Sequence, residues 1–251
     1  MTRKHVEHIV ENRIAIVTLD NPPVNSLNTP VLRELEITFE ELENNSQLRG
    51  VVITGSGRKS FCAGADIRAM SSSQDEIIEL IKTGQTVFDK IERFDRPVIA
   101  AINGVALGGG NELALTCDIR ISSNLARFSQ PEVSLGLIPA WGGTRRLARL
   151  VGLGLAKELI LTGRTIDAQE ALRIGLVNKV VPDGEQLTSS MEMMGHISSA
   201  APLAIIAAKK AFADGEVDSE LRAMKDLVVT SDLKEGVEAF LQKRSPRFQG
   251  K

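Results

Sequence analysis

Two glycine-rich segments each follow a short run of apolar residues. Gly50–Gly55 leads into the segment Gly55–Asp66, and Pro97–Ala106 leads into Gly108–Gly110. Glycine after a buried strand permits positive φ and lets a ligand approach the main-chain N–H groups closely. Two such turns side by side can aim two N–H donors at one oxygen. This arrangement suits a thioester carbonyl that becomes an enolate, where each donor contributes roughly 10²–10³ in rate.

The glycine spacing does not fit the common nucleotide-binding loops. Gly55-Ser56-Gly57 does not continue to a dinucleotide fingerprint, and Gly108–Gly110 runs into Asn111 and Glu112 without a further spaced glycine. The sequence has no P-loop spacing, no CxxC or HExxH pattern and no cluster of carboxylates with histidines. We therefore expect neither a nucleotide cofactor nor a metal site.

The side chains available for proton transfer are limited. The sequence contains no tyrosine and three histidines, of which His5 and His8 lie in the N-terminal segment and His196 in the C-terminal quarter. All three are remote from the glycine-rich segments, which argues against Ser-His-Asp and Cys-His chemistry. Carboxylates are the leading candidates for general acid and base.

Composition narrows the class of protein further. A chain of 251 residues with a formal charge of −2 is long enough for one sizeable core and has no global field to recruit nucleic acid or an anionic membrane. The charged segment Met1–Glu11 has no apolar signal region, and no apolar run is long enough to span a bilayer. Cys62 and Cys117 form no disulfide framework. These features favour a cytoplasmic protein.

Hydrophobic periodicity predicts an α/β chain whose C-terminal part is helical. Arg13–Leu19 is typical of a strand, and Thr29 followed by Pro30 indicates a helix that begins with Thr29 as its N-cap. Gly50–Gly55 and Pro97–Ala106 are predicted as buried strands. Polar residues through Ser71–Ser73 precede a long helix over Gln74–Phe94, with Ile77, Ile78, Ile81, Val87, Phe88 and Ile91 on its buried side. Met1–Glu11 is expected to be frayed.

Three segments resemble the signature elements of the crotonase, or enoyl-CoA hydratase/isomerase, family in their residues, their order and their spacing. They are Ser60–Ile67 (SFCAGADI), Ile102–Leu113 (INGVALGGGNEL) and Phe128–Leu147, which contains FSQPE and IPAWGGTRRL. The likeness runs from about Ile14 to Val181, with a fainter likeness over Phe240–Lys251. A likeness of this length is not a coincidence, and the resemblance implies an enoyl-CoA hydratase, which adds water across a trans-2-enoyl-CoA to give a 3-hydroxyacyl-CoA.

The resemblance assigns expected roles to individual residues. It places the oxyanion-hole N–H groups at Ala65 and Gly109 and the acid–base pair at Glu112 and Glu132, with Glu112 activating water and Glu132 supplying the proton at C2. A glutamate at both positions is typical of the hydratases of this family. The residues expected to line the acyl-CoA site are Ala63, Ala65, Asp66, Ile67, Arg68, Gly108 and Trp141. Arg68 stands where the family usually has lysine, which keeps a cation for the CoA phosphates but changes its geometry.

The resemblance also implies the architecture and the partners. The expected fold is α/β, a crotonase-type spiral of ββα turns over residues 1–190, with a helical trimerisation region over residues 191–251. It implies a homotrimer or a homohexamer built as a dimer of trimers, and an acyl-CoA thioester substrate with no separate cofactor, because CoA is part of the substrate. No nucleic acid, membrane or metal partner is expected.

Two rival functions stay open at this point. One is a crotonase-fold isomerase or a hydratase of a specialised acyl thioester, which a product mass distinguishes because hydration adds water. The other is RNA binding, reported for some relatives, although the near-neutral charge and the lack of an aromatic–basic stripe argue against it.

Several nearby residues have structural interpretations. Asp66 and Asp118 are expected to hold turns through hydrogen bonds to main-chain N–H groups, and both cysteines to be packing residues. Trp141 either narrows the acyl pocket or packs in the core. Arg145, Arg146 and Arg149 are expected to be solvated or to form ion pairs between subunits.

Overall fold

A computed structural model describes residues 4–68 and 73–251 of the chain. The predicted polar residues Ser71 and Ser72, and the first three residues of the N-terminal segment, lie outside these ranges. The strands are Val6–Glu11 (β1), Ile14–Leu19 (β2), Gly50–Gly55 (β3), Ser60–Cys62 (β4), Val98–Ile102 (β5), Val105–Leu107 (β6), Ile119–Ser123 (β7), Arg127–Ser129 (β8), Ile166–Asp167 (β9) and Lys179–Val181 (β10). The helices are Thr29–Glu43 (α1), Gln74–Arg93 (α2), Gly109–Thr116 (α3), Gly143–Val151 (α4), Leu153–Thr162 (α5), Ala168–Arg173 (α6), Gln186–Ser198 (α7), Pro202–Asp214 (α8), Ser219–Leu227 (α9) and Ser231–Leu241 (α10).

The strands form two sheets that the chain visits alternately. The larger sheet has the order β1-β2-β3-β5-β7-β10 and is parallel except for the β1–β2 pair. The smaller sheet has the order β4-β6-β8-β9 and is parallel except for β8–β9. β3–β4–α2 and β5–β6–α3 are therefore successive ββα turns stacked side by side, and β7–β8 begins the next. The predicted spiral of ββα turns is confirmed.

The central strands are apolar on both faces because each face meets a different core. Val51 and Ile53 of β3 belong to the main core, whereas Val52 between them faces a second cluster under α7. Successive side chains of a strand point to opposite faces, so a strand covered on both sides shows a continuous apolar run. This explains why Gly50–Gly55 forms a strand with the predicted bounds.

The amphipathic helices cover the main core. α1 buries Leu32, Leu35, Phe39 and Leu42, as its helical spacing predicts. Full burial of such a side chain stabilises the fold by about 1.5–3 kcal/mol. α2 begins with a capping box in which Ser73 caps Glu76 N and the Glu76 side chain accepts from Ser73 N.

Four local predictions are wrong in detail. Val6–Glu11 is an edge strand rather than a frayed segment, since every residue of it pairs with β2. The N-cap of α1 is Asn28, whose side chain accepts from Val31 N at 3.1 Å, so Thr29 is the first helical residue. Pro97–Ala106 is two strands in two sheets, β5 and β6, because the chain crosses over at Asn103-Gly104. Ile78 of α2 is exposed rather than buried.

The C-terminal helices extend from the spiral. α7 packs on the outer face of the larger sheet, where Met194 lies against Gly50. The predicted division between residues 190 and 191 falls inside α7, and the division itself stays a prediction. Within the described ranges no single helix is long and apolar enough to cross a membrane, and α7 with α8 meets those criteria only as a pair bent by 107°.

Candidate active site

One cavity of about 190 Å³ lies between α2, α3, the loop that follows β4 and the segment 131–141. Its wall includes both glycine turns that follow β4 and β6, and both predicted acid–base residues, Glu112 and Glu132. Eight of the predicted site residues line this cavity: Ala63, Ala65, Ile67, Gly108, Gly109, Glu112, Glu132 and Trp141. The spiral therefore brings residues from successive turns to one place.

The loop after β4 is held so that the N–H of Ala65 faces the cavity side. Leu27 N donates to Gly64 O at 2.8 Å and Asp66 N donates to Leu27 O at 2.8 Å, which pairs Leu27 with Ala65 as a parallel bridge. In an extended segment, successive N–H groups point in opposite directions. Ala65 N therefore points away from Leu27, and it donates to no main-chain or side-chain acceptor within residues 4–68 and 73–251.

The second turn ends at the beginning of α3. Gly108 adopts a φ of 51°, which glycine reaches without the steric cost of a side chain, and its N–H donates to Ser129 O at 2.9 Å. Gly109 is the first helical residue, so its N–H has no partner within the helix. The positive end of the helix dipole lies at the same point.

The two turns pack main chain against main chain. A Cβ at Gly64 would lie 3.1 Å from Gly109 N, and a Cβ at Gly109 would lie 3.5 Å from Ala65 N. A Cβ at Gly110 would lie only 1.9 Å from Cys62 O, which excludes any side chain there. The glycines therefore allow the main chain at Ala65 and the main chain at Gly109 to lie close together.

Glu112 is 2% exposed and lies on the first turn of α3. Its Oε1 accepts from Trp141 N at 2.8 Å and from Gly143 N at 2.7 Å. Burial, with a smaller contribution from the nearby charge of Glu132, raises the pKa of Glu112 to about 7, while the two N–H donors act in the opposite direction. A carboxyl group with this pKa exchanges its proton readily at neutral pH.

Glu132 begins a 3-10 helix, Glu132–Leu135, and its carboxyl group lies against Gly108. A Cβ at Gly108 would lie 3.0 Å from Glu132 Oε1. With its amide nitrogen oriented toward this carboxylate, Gln130 donates to both oxygens at 3.0 and 3.2 Å, and its own oxygen accepts from Asn111 Nδ2 at 3.2 Å. Burial raises the pKa of Glu132. Gln130 and Asn111 are themselves buried, so they hold this carboxyl group from the side of the core.

The loop that bonds Glu112 is fixed by Arg146. Arg146 Nη1 donates to Trp141 O at 2.5 Å, and Nη2 bonds Asp89 at 2.6 Å and Glu92 at 2.8 Å on α2. The expectation of a solvated or intersubunit arginine is therefore wrong for Arg146, whose side chain is buried within the subunit, while Arg145 reaches the same two acids from an exposed position. Arg149 is exposed.

The other two predicted site residues, Asp66 and Arg68, are not among the residues that line the cavity. Asp66 accepts from Arg68 N at 3.1 Å and forms an ion pair with the Arg68 guanidinium at 2.7 Å, so it holds a turn as expected. Asp118 likewise accepts from Val98 N. Cys62 is buried beside the Ala65 loop, and burial raises the pKa of its thiol to about 12, which excludes it as a nucleophile at neutral pH.

The match with known proteins agrees with this geometry. Residues 10–251 match the family described as enoyl-CoA hydratase/isomerase. The chain belongs to this family. It is 46% identical over 245 residues to the short-chain-enoyl-CoA hydratase of Clostridium acetobutylicum, covering 93% of each chain. It is 44% identical over 250 residues to the crotonyl-CoA hydratase of Syntrophomonas wolfei, covering 96% of each.

Solved structures of the enoyl-CoA hydratase/isomerase family have the same fold. The enoyl-CoA hydratase from Bacillus anthracis superposes with a TM-score of 0.96 at 37% identity, over 99% of this chain and 100% of that one. The predicted family and fold are confirmed. The roles assigned to single residues stay predictions, as does the absence of a metal, although no group of three or more metal-ligating side chains occurs within the described ranges.

Sequence reasoning missed four contributors to the site. Gln130, Asn111 and the N–H groups of Trp141 and Gly143 all lie inside the quoted motifs, but no role was derived for them. A polar residue close to each glutamate was the available signal, since Asn111 precedes Glu112 and Gln130 stands two residues before Glu132. The main-chain donors leave no trace in the residue types.

Proposed function

We propose that this protein is an enoyl-CoA hydratase, a hydro-lyase that adds water across the double bond of a trans-2-enoyl-CoA to give a 3-hydroxyacyl-CoA. The observation that carries the proposal is the convergence of Glu112, Glu132, Ala65 N and Gly109 N on one cavity. The names of its relatives, a short-chain-enoyl-CoA hydratase and a crotonyl-CoA hydratase, support the same reaction.

The thioester oxygen accepts from Ala65 N and Gly109 N. Attack at C3 moves electron density through the conjugated system onto this oxygen, so the donors bind the enolate-like transition state more tightly than the substrate. Because both N–H groups belong to main chain packed against main chain, they need little reorganisation during the reaction. The N-terminus of α3 adds a favourable field at the same oxygen.

The water molecule adds between the two carboxyl groups. Glu112 takes one proton of the water as its oxygen bonds to C3, and Glu132 gives a proton to C2, so that the elements of water are added overall. Glu112 Oε1 already accepts two N–H bonds, which leaves Oε2 to receive the proton. In the reverse direction the two groups exchange roles.

The surroundings of the two acids favour a pair that holds a single proton. Two main-chain donors stabilise the ionised form of Glu112, although its burial is nearly complete. Burial raises the pKa of both acids, that of Glu112 to about 7, so either group can hold a proton, and donation to C2 requires that the proton lie on Glu132 when the substrate is bound. The two charges also repel each other, so the pair favours a state with one proton.

The CoA part of the substrate would lie along the segment Ala63–Arg68. Ala63, Gly64 and Ala65 line the cavity, and Ile67 is exposed at its mouth. The Arg68 side chain is 88% exposed and forms an ion pair with Asp66. In this position it would present a cation to the phosphates of CoA.

The test is loss of the conjugated-thioester absorbance of crotonyl-CoA on addition of the purified protein, with mass measurement of the product. Glu132→Gln should lower kcat by roughly 10²–10⁴. Glu192→Gln is the matched control, because Glu192 lies on the exposed side of α7. No hydration of any trans-2-enoyl-CoA would refute the proposal, and a product of unchanged mass would indicate isomerisation.

We also propose self-association through the C-terminal helices into a trimer or a dimer of trimers. Several apolar side chains there are exposed in the single chain, including Phe212 at 89%, Val217 at 96%, Val229 and Phe240. Exposed apolar patches of this kind mark interfaces. Light scattering coupled to size exclusion measures the mass, and a monomer at micromolar concentration would contradict this proposal.

The proposed location is the cytoplasm. Both cysteines are free and buried, which fits a reducing compartment. Immunodetection in fractionated cells tests this proposal, and recovery outside the cytoplasmic fraction would contradict it.

A further inference from the structure

The cavity has an exposed end and a closed end. Ile67 and Ile138 at one end are 64% and 65% exposed, whereas Glu112 and Trp141 at the other are 2% and 4% exposed. A bulky CoA group can occupy only the exposed end. With the thioester at Ala65 and Gly109, the acyl chain therefore extends toward the closed end.

The indole of Trp141 fills the space between α3 and α2 at that closed end. A Cβ at Gly109 would lie 2.3 and 2.6 Å from the Cζ3 and Cε3 atoms of the indole. A Cβ at Gly84, on α2, would lie 2.3 Å from Cε2 and from Nε1 on its other edge. Phe88, one turn after Gly84, packs edge-on at 5.3 Å between ring centroids.

Both edges of the indole therefore lie against main chain, that of Gly109 in α3 and that of Gly84 in α2. Glycine in the interior of α2 is unfavourable for the helix by about 1 kcal/mol relative to alanine, yet Gly84 is the position that touches the ring. Interiors packed at this density do not open for an added methylene without displacing neighbours.

We propose that Trp141 sets the length of the acyl group, so that the enzyme accepts short-chain trans-2-enoyl-CoA thioesters and rejects long ones. This inference rests on the proposed hydratase function. The Trp141 main chain holds Glu112, and its side chain closes the pocket next to the oxyanion donor Gly109. One residue therefore links the position of the acid–base group to the length of the substrate.

The composition of the chain provides a direct probe. Trp141 is the single tryptophan and the chain contains no tyrosine, so intrinsic fluorescence excited at the indole band reports on this one ring. An acyl group that reaches the closed end must touch the indole and change its emission.

The kinetic test compares kcat/KM for crotonyl-CoA and trans-2-octenoyl-CoA in the wild type, Trp141→Phe and Trp141→Leu. The wild type should favour crotonyl-CoA by roughly tenfold or more, and the ratio of octenoyl to crotonyl activity should rise at least tenfold in Trp141→Leu. Leu135→Ala, at the exposed end of the cavity, should change this ratio less than threefold, roughly the low end for one pocket methylene.

The binding test uses the wild type alone and does not depend on a variant that folds. Titration with butyryl-CoA should change the emission, and octanoyl-CoA should bind at least tenfold more weakly. Equal binding of the two thioesters, or an unchanged activity ratio in a folded Trp141→Leu protein, would overturn the inference. Absence of activity with every enoyl-CoA, together with a preserved preference in binding, would instead refute the hydratase function and leave the pocket assignment intact.

Discussion

The main-chain N–H of Trp141 donates a 2.8 Å hydrogen bond to Oε1 of Glu112, 29 residues earlier in the chain. This bond and its neighbour from Gly143 N hold the carboxyl group, and within residues 4–68 and 73–251 no charged side chain forms an ion pair with it. Because the donors are main-chain atoms, substitution of the Trp141 side chain leaves the bond available. Pocket length and acid–base geometry can therefore be altered separately at this position.

Replacement of Glu112 by glutamine should stabilise the protein at neutral and alkaline pH while it lowers hydration. Folding raises the pKa of Glu112 from its ordinary value of 4.5 to about 7, so the folded state holds this proton more tightly than the unfolded chain does. The free energy of unfolding therefore falls as pH rises from 4.5 to 7. Glutamine keeps an acceptor for Trp141 N and Gly143 N and avoids the buried charge.

The expected difference in unfolding free energy between Glu112→Gln and the wild type is near zero below pH 4.5 and reaches about 3 kcal/mol above pH 7. Urea denaturation at pH 4.5 and pH 8 measures it. Glu192→Gln should show no such change with pH. An equal difference at both pH values would show that Glu112 is ionised with an ordinary pKa in the folded protein.

Gln130 should act as a positioning residue for Glu132. Its amide donates to both carboxylate oxygens, which favours the ionised form and holds the group against Gly108. Gln130→Met keeps the shape of the side chain but removes the donor, so kcat should fall about 10²-fold with a smaller change in KM. The pKa of Glu132 should rise further, and the alkaline limb of the kcat/KM profile should move to higher pH.

A buried glutamine elsewhere provides the comparison for this change. Gln186 is buried at the start of α7 and accepts from Gly184 N, remote from the cavity. Gln186→Met should lower stability without moving the pH profile. If Gln130→Met also leaves the profile in place, its role is confined to packing.

Gly110→Ala should separate the two glycine turns of the proposed oxyanion hole. Its Cβ would lie 1.9 Å from Cys62 O, a main-chain atom that cannot yield without moving the Ala65 loop. Displacement of one of the two N–H donors should lower kcat by roughly 10²–10³. Gly154→Ala, in α5 with open space around it, should keep full activity and gain up to about 1 kcal/mol of stability. Full activity in a folded Gly110→Ala protein would contradict the proposed hole.

The sequence predicts those features of this molecule that local pattern determines. The apolar run of β3 and the amphipathic stripe of α1 follow from burial on two faces and on one face, so their bounds are correct to about one residue. β1 was missed because it is an edge strand, with Val6 buried but Ile9 exposed, and its pattern resembles that of a charged loop. The break at Asn103-Gly104 was missed because both flanking segments are apolar.

The site likewise has features that the sequence predicts and features that it does not. The residue types and spacing of the motifs located Glu112, Glu132 and both glycine turns, and the spiral places all of them on the wall of one cavity. The bonds from Trp141 N and Gly143 N to Glu112 span 29 and 31 residues and involve only main-chain donors, so no residue type records them. The burial of Arg146 depends likewise on distant partners, Asp89 and Glu92 of α2, and the sequence alone favours exposure for a cluster of three arginines.

Arg145 and Arg146 both bond Asp89 and Glu92, but of the two only Arg146 also bonds Trp141 O. Arg146→Met removes a buried cation and should cost about 3–5 kcal/mol of stability. It should also release the loop that holds Glu112. Because the charge of Arg146 lowers the pKa of Glu112, the acid limb of the kcat/KM profile should move to higher pH.

Arg146→Lys keeps the charge but cannot reach all three acceptors, so the acid limb of its kcat/KM profile should move by a smaller amount. Arg145→Met breaks exposed pairs, which contribute at most about 1 kcal/mol, and should leave the pH profile unchanged. Identical profiles for Arg145→Met and Arg146→Met would show that the contact with Trp141 O has no part in positioning Glu112.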